Sequence, residues 1–282
     1  MSIIIPKLWD SKICCKINYL NPNNDNNNTL YLTINRNSYL YFKLEEIFEF
    51  FKLNISQIPY IWFQDEFSGR ILDWNLPIDI LFNLFQYNNN YFKISLKISI
   101  LTTSLLNSIS QLQSQSILSY QHHFQSIKNP NFNDVFIFLE KYWRNIIKES
   151  CYILNNSSNL IMSMSMQNSI NFWNSVKNLN YLEFEKNFNK FKNFNPLNLP
   201  LKLYFIKNSN LLFINQPNIH KFFNINSNNK ITLFDLLNKL FDNTKNLKCI
   251  SHGIELPLDS PLIELYFLMK HLDSFLHIIV LS

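Results

Sequence analysis

Apolar positions change their period several times along the chain, and each change marks an element. ICCKINYL (13–20) and LYLTI (30–34) have the composition of strands and predict an opening hairpin around a tract of asparagines. Helical spacing follows in Ser38–Leu53, where Leu40, Leu44, Ile47, Phe48 and Phe51 share a side and Ser38 stands as the cap. PYIWF (59–63) and FKISLKISI (92–100) read as further strands, with a turn and a short helix between them. From Thr102 to Asn131 serine, glutamine and asparagine dominate, so 102–131 reads as a mobile polar linker. Helical period returns in 132–194. There Leu139, Trp143, Ile146, Ile147, Ser150 and Leu154 fall on one side of the first run, and Lys141, Arg144, Lys148 and Asn155 on another. Leu160–Val176 and Leu179–Phe191 are a second and third run, and Met162, Met164 and Met166 are expected as adaptable packing. The last stretch, 199–282, repeats the opening plan: LPLKLYFI, LLFIN, the helical TLFDLLNKLF, KCIS and FLHIIVL.

That repetition is sharpest in one block. GRILDWNLPIDILFNLF (69–85) aligns with GIELPLDSPLIELYFLM (253–269), setting Leu72 on Leu256, Pro77 on Pro261, Leu81 on Leu265 and Leu84 on Leu268. The chain has only two glycines, and both open this block, which assigns them the positive φ of a tight turn. Asn75 and Asp259 precede Leu-Pro and Ser-Pro, a pattern that predicts side-chain caps on the helices that follow. Hairpin, helix, hairpin, short helix and strand is the β-grasp order. The expected fold class is therefore α+β: two ubiquitin-like (β-grasp) domains, 1–101 and 199–282, flanking a helix-rich domain, 132–194.

Composition narrows the chemistry. A net charge of +5 with no polybasic run does not imply nucleic acid, and core periodicity accounts for an aromatic content of 16%. Cys14, Cys15, Cys151 and Cys249 show no CxxC spacing and read as reduced thiols of a cytosolic protein. No signal pattern opens the chain, and its charge-free stretches are too polar to span a bilayer. His122 and His123 lack a third ligand and are assigned to solvent rather than to a metal. With glycine at 69 and 253 alone, neither a P-loop nor GxGxxG can exist, and HExxH and GxSxG are missing as well. No catalytic residue, cofactor or metal is expected. A hydrolase or transferase using Cys151 or Cys249 with a histidine is the rival from another class.

The motifs NRNSYL (35–40), IWF (61–63), LxWxxPIxxLFxLF (72–85), HGIE (252–255), SPL (260–262) and FLHI (275–278) occur in an order that resembles the autophagy-related protein 5 family over nearly the whole chain. WRNIIKES (143–150) resembles that family's acceptor segment, although Trp143 supplies the aromatic and Cys151 and Tyr152 replace small or acidic neighbours. The resemblance implies a non-catalytic scaffold. It implies Lys148 as the isopeptide acceptor for the ubiquitin-like autophagy-related protein 12, with non-covalent joining as the alternative. It implies an apolar cleft for a helix of autophagy-related protein 16, with Arg36 as a polar anchor, and Tyr39, Arg144 and Glu149 as further partner-binding residues. An E3-like role follows, in which autophagy-related protein 3 attaches autophagy-related protein 8 to phosphatidylethanolamine. The implied location is the cytoplasm, with peripheral recruitment to preautophagosomal or other organelle membranes. A ubiquitin-like adaptor without any part in conjugation remains the other reading.

Overall fold

The computed structural model describes residues 4–19, 28–86, 89–99, 111–207, 210–219, 231–241 and 247–282. The asparagine tracts at 21–27 and 224–230, Asn88 and the stretch 102–110 of the expected linker lie outside them. The elements run α1 (Ile4–Asp10), β1 (Lys12–Tyr19), β2 (Asn28–Asn35), α2 (Leu44–Phe51), β3 (Ile61–Asp65), α3 (Ile78–Phe85), β4 (Phe92–Ile98), α4 (Gln111–Gln125) and α5 (Phe132–Asn155). Then come α6 (Asn159–Met162), α7 (Met166–Lys177), α8 (Tyr181–Phe188), β5 (Leu201–Lys207), β6 (Asn210–Asn215), α9 (Leu233–Leu240), β7 (Lys248–Ser251), β8 (Ile254–Glu255), α10 (Leu262–Met269) and β9 (Leu276–Leu281). They divide into two compact units, 12–141 and 142–282, the second including 1–11.

In the first unit the sheet order is β2-β1-β4-β3, with β1 parallel to β4 and the other neighbours antiparallel. Strand alternation turns Ile13, Cys15, Ile17, Leu30, Leu32, Ile34, Phe92, Ile94 and Leu96 inward, and all are buried. Leu44, Ile47, Phe48 and Phe51 of α2 and Phe82 of α3 supply the helical side of this core, Phe82 meeting Phe92 at 5.7 Å. Trp62 and Trp74 are both buried, their indole nitrogens donating to Ser99 Oγ at 3.2 Å and Ser116 O at 2.7 Å.

Three expectations need correction here. The helix foreseen from Ser38 is broken into a 3-10 turn, Leu40–Lys43, and α2, and Ser38 does not cap it. The Ser38 carbonyl instead accepts the Ile78 amide at 2.8 Å, while the Arg36 carbonyl accepts that of Asp79 at 3.0 Å. The free amides at the start of α3 are thus met by backbone, so Pro77 takes the cap position without any side-chain bond and Asn75 is not needed there. Finally, residues 111–125 of the expected linker form α4. Ile117, Tyr120, Gln121 and Phe124 sit at helical spacing and are buried, with Tyr120 Oη donating to Ile58 O at 3.2 Å and Gln121 Nε2 to Ser99 O at 2.9 Å.

The second unit carries a sheet of order β6-β5-β9-β7-β8, with β5 parallel to β9 as β1 is to β4. Gly253 closes the β7–β8 turn at φ +70°, and Gly69 holds φ +66° in the matching turn after β3, where a single bridge, Gln64 to Ile71, replaces the return strand. The repeat extends to the helix starts. Leu262 N donates to Ile231 O at 2.9 Å and Pro261 takes the cap position with no side-chain bond, so Asp259 is no more the cap than Asn75 is. Thr232 and Asp235 do form a capping box on α9.

The helical middle does not close upon itself. Trp143 Nε1 donates to Leu272 O at 2.7 Å, Ser150 Oγ to Ser274 O at 3.3 Å, and buried Lys270 pairs with Glu185 at 3.0 Å. These bonds join 142–194 to the C-terminal sheet region in one compact unit, whose limit falls inside α5. Trp9 of α1 packs in the same unit, 5.2 Å from Tyr181 and 5.0 Å from Phe184. The run 160–176 is two helices, with Ser165 capping the second through the Asn168 amide. Met162 and Met166 are 66% and 80% exposed, so they are not core packing.

Candidate functional site

Lys148 stands on α5 off the buried stripe. Val135, Leu139, Trp143, Ile147, Ser150, Cys151 and Leu154 make that stripe, with Cys151 buried where Ile146 was expected and Ile146 only half-buried. Trp143 fixes the rotation of the helix, its ring lying 4.9 Å from Phe172 and 5.5 Å from Trp173. Lys148 is five residues on, about 140° around at about 100° per residue, and is exposed with no ion pair or hydrogen bond among the described residues. Beside it a cleft of about 310 Å³ opens between α5 and the α6–α7 segment, lined by Arg144, Lys148, Ile161, Met162, Met164 and Ser169 above a floor of Trp143, Ile147 and Phe172. An amine there is reachable, and next to it lies a surface of thioethers and aliphatic carbon.

The other predicted residues are held differently. Arg144 donates from Nη1 to Ser169 Oγ and from Nη2 to Ser169 O at 3.3 Å, which ties α5 to α7. Glu149 accepts from Gln216 Nε2 at 3.1 Å. Arg36 belongs to the first unit, far along the chain from these three, with Nη1 on Asp79 Oδ1 at 2.6 Å and the guanidinium 5.7 Å from the Phe82 ring centre. Asp79 is buried and also accepts from Asn83 Nδ2 at 3.0 Å, so Arg36 closes onto the start of α3. Tyr39 is buried and edge-on to Phe42 at 5.4 Å. Thus Lys148 and Arg144 share the cleft, Glu149 lies beside Lys148 in sequence, and Arg36 and Tyr39 form a separate group.

Three of the four thiols are buried in packing, and Cys14 is exposed. Burial pushes the Cys15 and Cys249 thiols up to about 12 and raises Cys151 as well, the opposite of what a nucleophilic cysteine requires. His123 stacks on Phe138 at 4.6 Å, and its partial burial, then Lys141, lower its affinity for a proton. In the second unit Asp273 Oδ2, His277 and the Tyr204 hydroxyl form a chain with two 2.8 Å links. Burial pulls His277 down to about 4 against the attraction of Asp273; burial pushes Asp273 up, but His277 and nearby Lys202 bring it to about 2. At neutral pH the carboxylate can only accept, so His277 Nε2 carries the hydrogen and Nδ1 accepts from Tyr204. All three residues are buried, which makes the chain a core network rather than a site open to substrate.

Three family models match successive parts of the chain: "Autophagy protein ATG5, UblA domain" at 8–100, the ATG5 "alpha-helical bundle region" at 138–194 and the ATG5 "UblB domain" at 198–280. A relative named Autophagy protein 5 from Pichia angusta is 33% identical over 269 residues, covering 89% of this chain and 85% of its own. The chain belongs to the autophagy protein 5 family. Autophagy protein 5 of Vanderwaltozyma polyspora is 31% identical over 291 residues, covering 96% of this chain and 93% of its own. The crystal structure of Kluyveromyces marxianus Atg5 superposes with a TM-score of 0.76 at 20% identity, covering 99% of each chain, a likeness of fold. Two ubiquitin-like regions flanking a helical one are therefore this family's plan, as the repeat predicted. What sequence reasoning missed at the site is Met162, Met164 and Ser169: their roles depend on the break between α6 and α7, which a single long helical run conceals.

Proposed function

We propose that this chain is a non-catalytic autophagy scaffold that joins the ubiquitin-like autophagy-related protein 12 at Lys148 and acts as an E3-like factor in lipidation of autophagy-related protein 8 with phosphatidylethanolamine. The observation that carries the reading is the exposed Lys148, unpaired among the described residues, at the rim of an apolar-floored cleft. A partner that keeps its terminal glycine reacts as a thioester on its conjugating enzyme. The Nζ lone pair forms the new C–N bond, the enzyme's thiolate leaves, and the amine's proton passes to that enzyme, since a lysine is almost wholly protonated at neutral pH. A partner without that glycine docks over the same surface and forms no bond. The second half of the reading is a helix of autophagy-related protein 16 near Arg36 and Tyr39, in a complex that works in the cytoplasm and is recruited peripherally to membranes. Autophagy-related protein 3 is the enzyme whose transfer it promotes.

Co-expression with autophagy-related protein 12 and its conjugating enzymes, followed by a denaturing gel, tests the attachment. Wild type and Lys141→Arg give a heavier band and Lys148→Arg does not, because arginine keeps the charge but cannot form the isopeptide. A heavier band that persists in Lys148→Arg places the site elsewhere. Co-purification in native buffer with no heavier band in wild type identifies the non-covalent form. For the helix site, Arg36→Glu weakens binding of the partner helix, and unchanged affinity removes Arg36 from the interface.

A further inference from the structure

Alternation in the first sheet sorts its charges onto one face. Lys12 and Lys16 of β1 and Lys93 and Lys97 of β4 all point away from the buried residues, and the pairing sets Lys16 directly beside Lys93. Tyr31, opposite Lys16 in β2, is on the same face and 63% exposed. The four strands contain one acid, Asp65, and it is buried and bonded to Ser68 and Gln86. Just past β3, Glu66 accepts from Asn18 Nδ2 at 2.9 Å. None of the four lysines has an ion pair among the described residues; Lys93 lies over the exposed ring of Phe67 at 4.7 Å and over Tyr91 at 5.4 Å.

Parallel pairing gives these charges a direction. Because Lys16 faces Lys93, Lys12 lies about 13 Å back along β1 and Lys97 about 13 Å onward along β4, at about 3.3 Å per residue. The result is a line of positive charge, doubled at its centre, where like charges on neighbouring strands repel; Glu66, its carboxylate held by Asn18, is the acid beside it. We propose that this outward face is a track for an extended acidic segment of a partner polypeptide. About eight residues of extended chain span the line. Carboxylates of that segment reach Lys16 and Lys93 at the centre and Lys12 and Lys97 at the ends, while Tyr31 and Phe67 supply apolar contact. A file of charge one strand pair wide matches a chain better than a plane, which favours a polypeptide over a lipid surface.

The test uses the full chain and a fluorescein-labelled peptide of about ten residues with glutamate at every second position, so that its acids share one side when extended. Fluorescence anisotropy at about 0.05 M salt detects binding, which weakens steeply towards about 0.5 M. The Lys16→Glu, Lys93→Glu double variant weakens it about tenfold or more, while Lys128→Glu, Lys177→Glu, of equal net charge, stays within about twofold. Far-UV circular dichroism verifies that both remain folded. Equal loss in the two variants, or no binding by wild type at low salt, overturns the proposal. So does a wild type that binds phosphatidylserine vesicles or a single-stranded oligonucleotide through Lys16 and Lys93 but not the peptide.

Discussion

Replacing Trp143 by phenylalanine tests whether the helix that carries Lys148 is anchored as described. The substitution keeps one ring against Phe172 and Trp173 but removes the donor to Leu272 O, a 2.7 Å bond in a buried setting. Leaving a buried carbonyl unmet costs about 1–3 kcal/mol. Deleting the fused ring opens on the order of 40 Å³, worth about 1 kcal/mol at roughly 24 cal/mol per Å³. The sum is about 2–4 kcal/mol, and Trp143→Ala, which loses the whole side chain, costs about 5 kcal/mol or more. Urea unfolding followed by far-UV circular dichroism reads this directly. With a slope of about 2–3 kcal/mol per molar, the phenylalanine variant shifts the midpoint down by about 1 M. A midpoint within about 0.2 M of wild type would show that the Leu272 bond contributes nothing and that α5 owes its setting to other contacts.

Other consequences are testable separately. His277 and Asp273 both have folded values below their unfolded ones, so the stability they give the second unit is present above about 6.5 and is lost as pH falls through about 4 and then about 2. The slope per released constraint is at most about 1.4 kcal/mol per pH unit, and His277→Phe should flatten the loss between pH 6 and pH 4. Asp73 acts in the opposite sense in the first unit: burial pushes its carboxyl up to about 6 although a Ser116 hydroxyl bond lowers it, so its ionisation removes stability as pH rises, and Asp73→Asn should abolish that loss. Gly69→Ala should cost about 1 kcal/mol, because a Cβ there meets nothing within 4 Å and only the φ of +66° resists it. A thiol reagent should label exposed Cys14 at once and Cys15, Cys151 and Cys249 only after denaturant; fast labelling of Cys249 would revive a nucleophilic role for it.

The parts of the fold that were legible had a physical reason to leave a mark in the sequence. Gly69 and Gly253 were readable because a positive φ in a tight turn strongly favours glycine, and a chain with only two advertises where those turns are. The stripe from Leu139 to Leu154 was readable because helical burial repeats, and the exposure of Lys148 followed from its angle to Trp143. The α4 helix carried the same signal in Ile117, Tyr120 and Phe124, but the serines and glutamines between them, with buried Gln121 among the inward positions, lowered the contrast. The caps of α3 and α10 were misread for a different reason. Their amides are satisfied by the carbonyls of Ser38 and Ile231, and a bond to distant backbone leaves no residue type behind. Arg36 was readable as a forked donor, but its engagement with Asp79 depends on the meeting of segments forty-three positions apart.

The most direct test of the central claim is tryptic mass spectrometry of the chain co-expressed with autophagy-related protein 12 and its conjugating enzymes. Trypsin cannot cut after a lysine whose amine is acylated, so attachment at Lys148 removes one cleavage and joins Asn145–Lys148 to Glu149–Lys177. The account predicts a branched Asn145–Lys177 peptide bearing the partner's C-terminal residues and ending in an isopeptide on Lys148. A heavier conjugate whose digest shows cleavage after Lys148 and carries the branch on Lys141, Lys177 or any other lysine would contradict it.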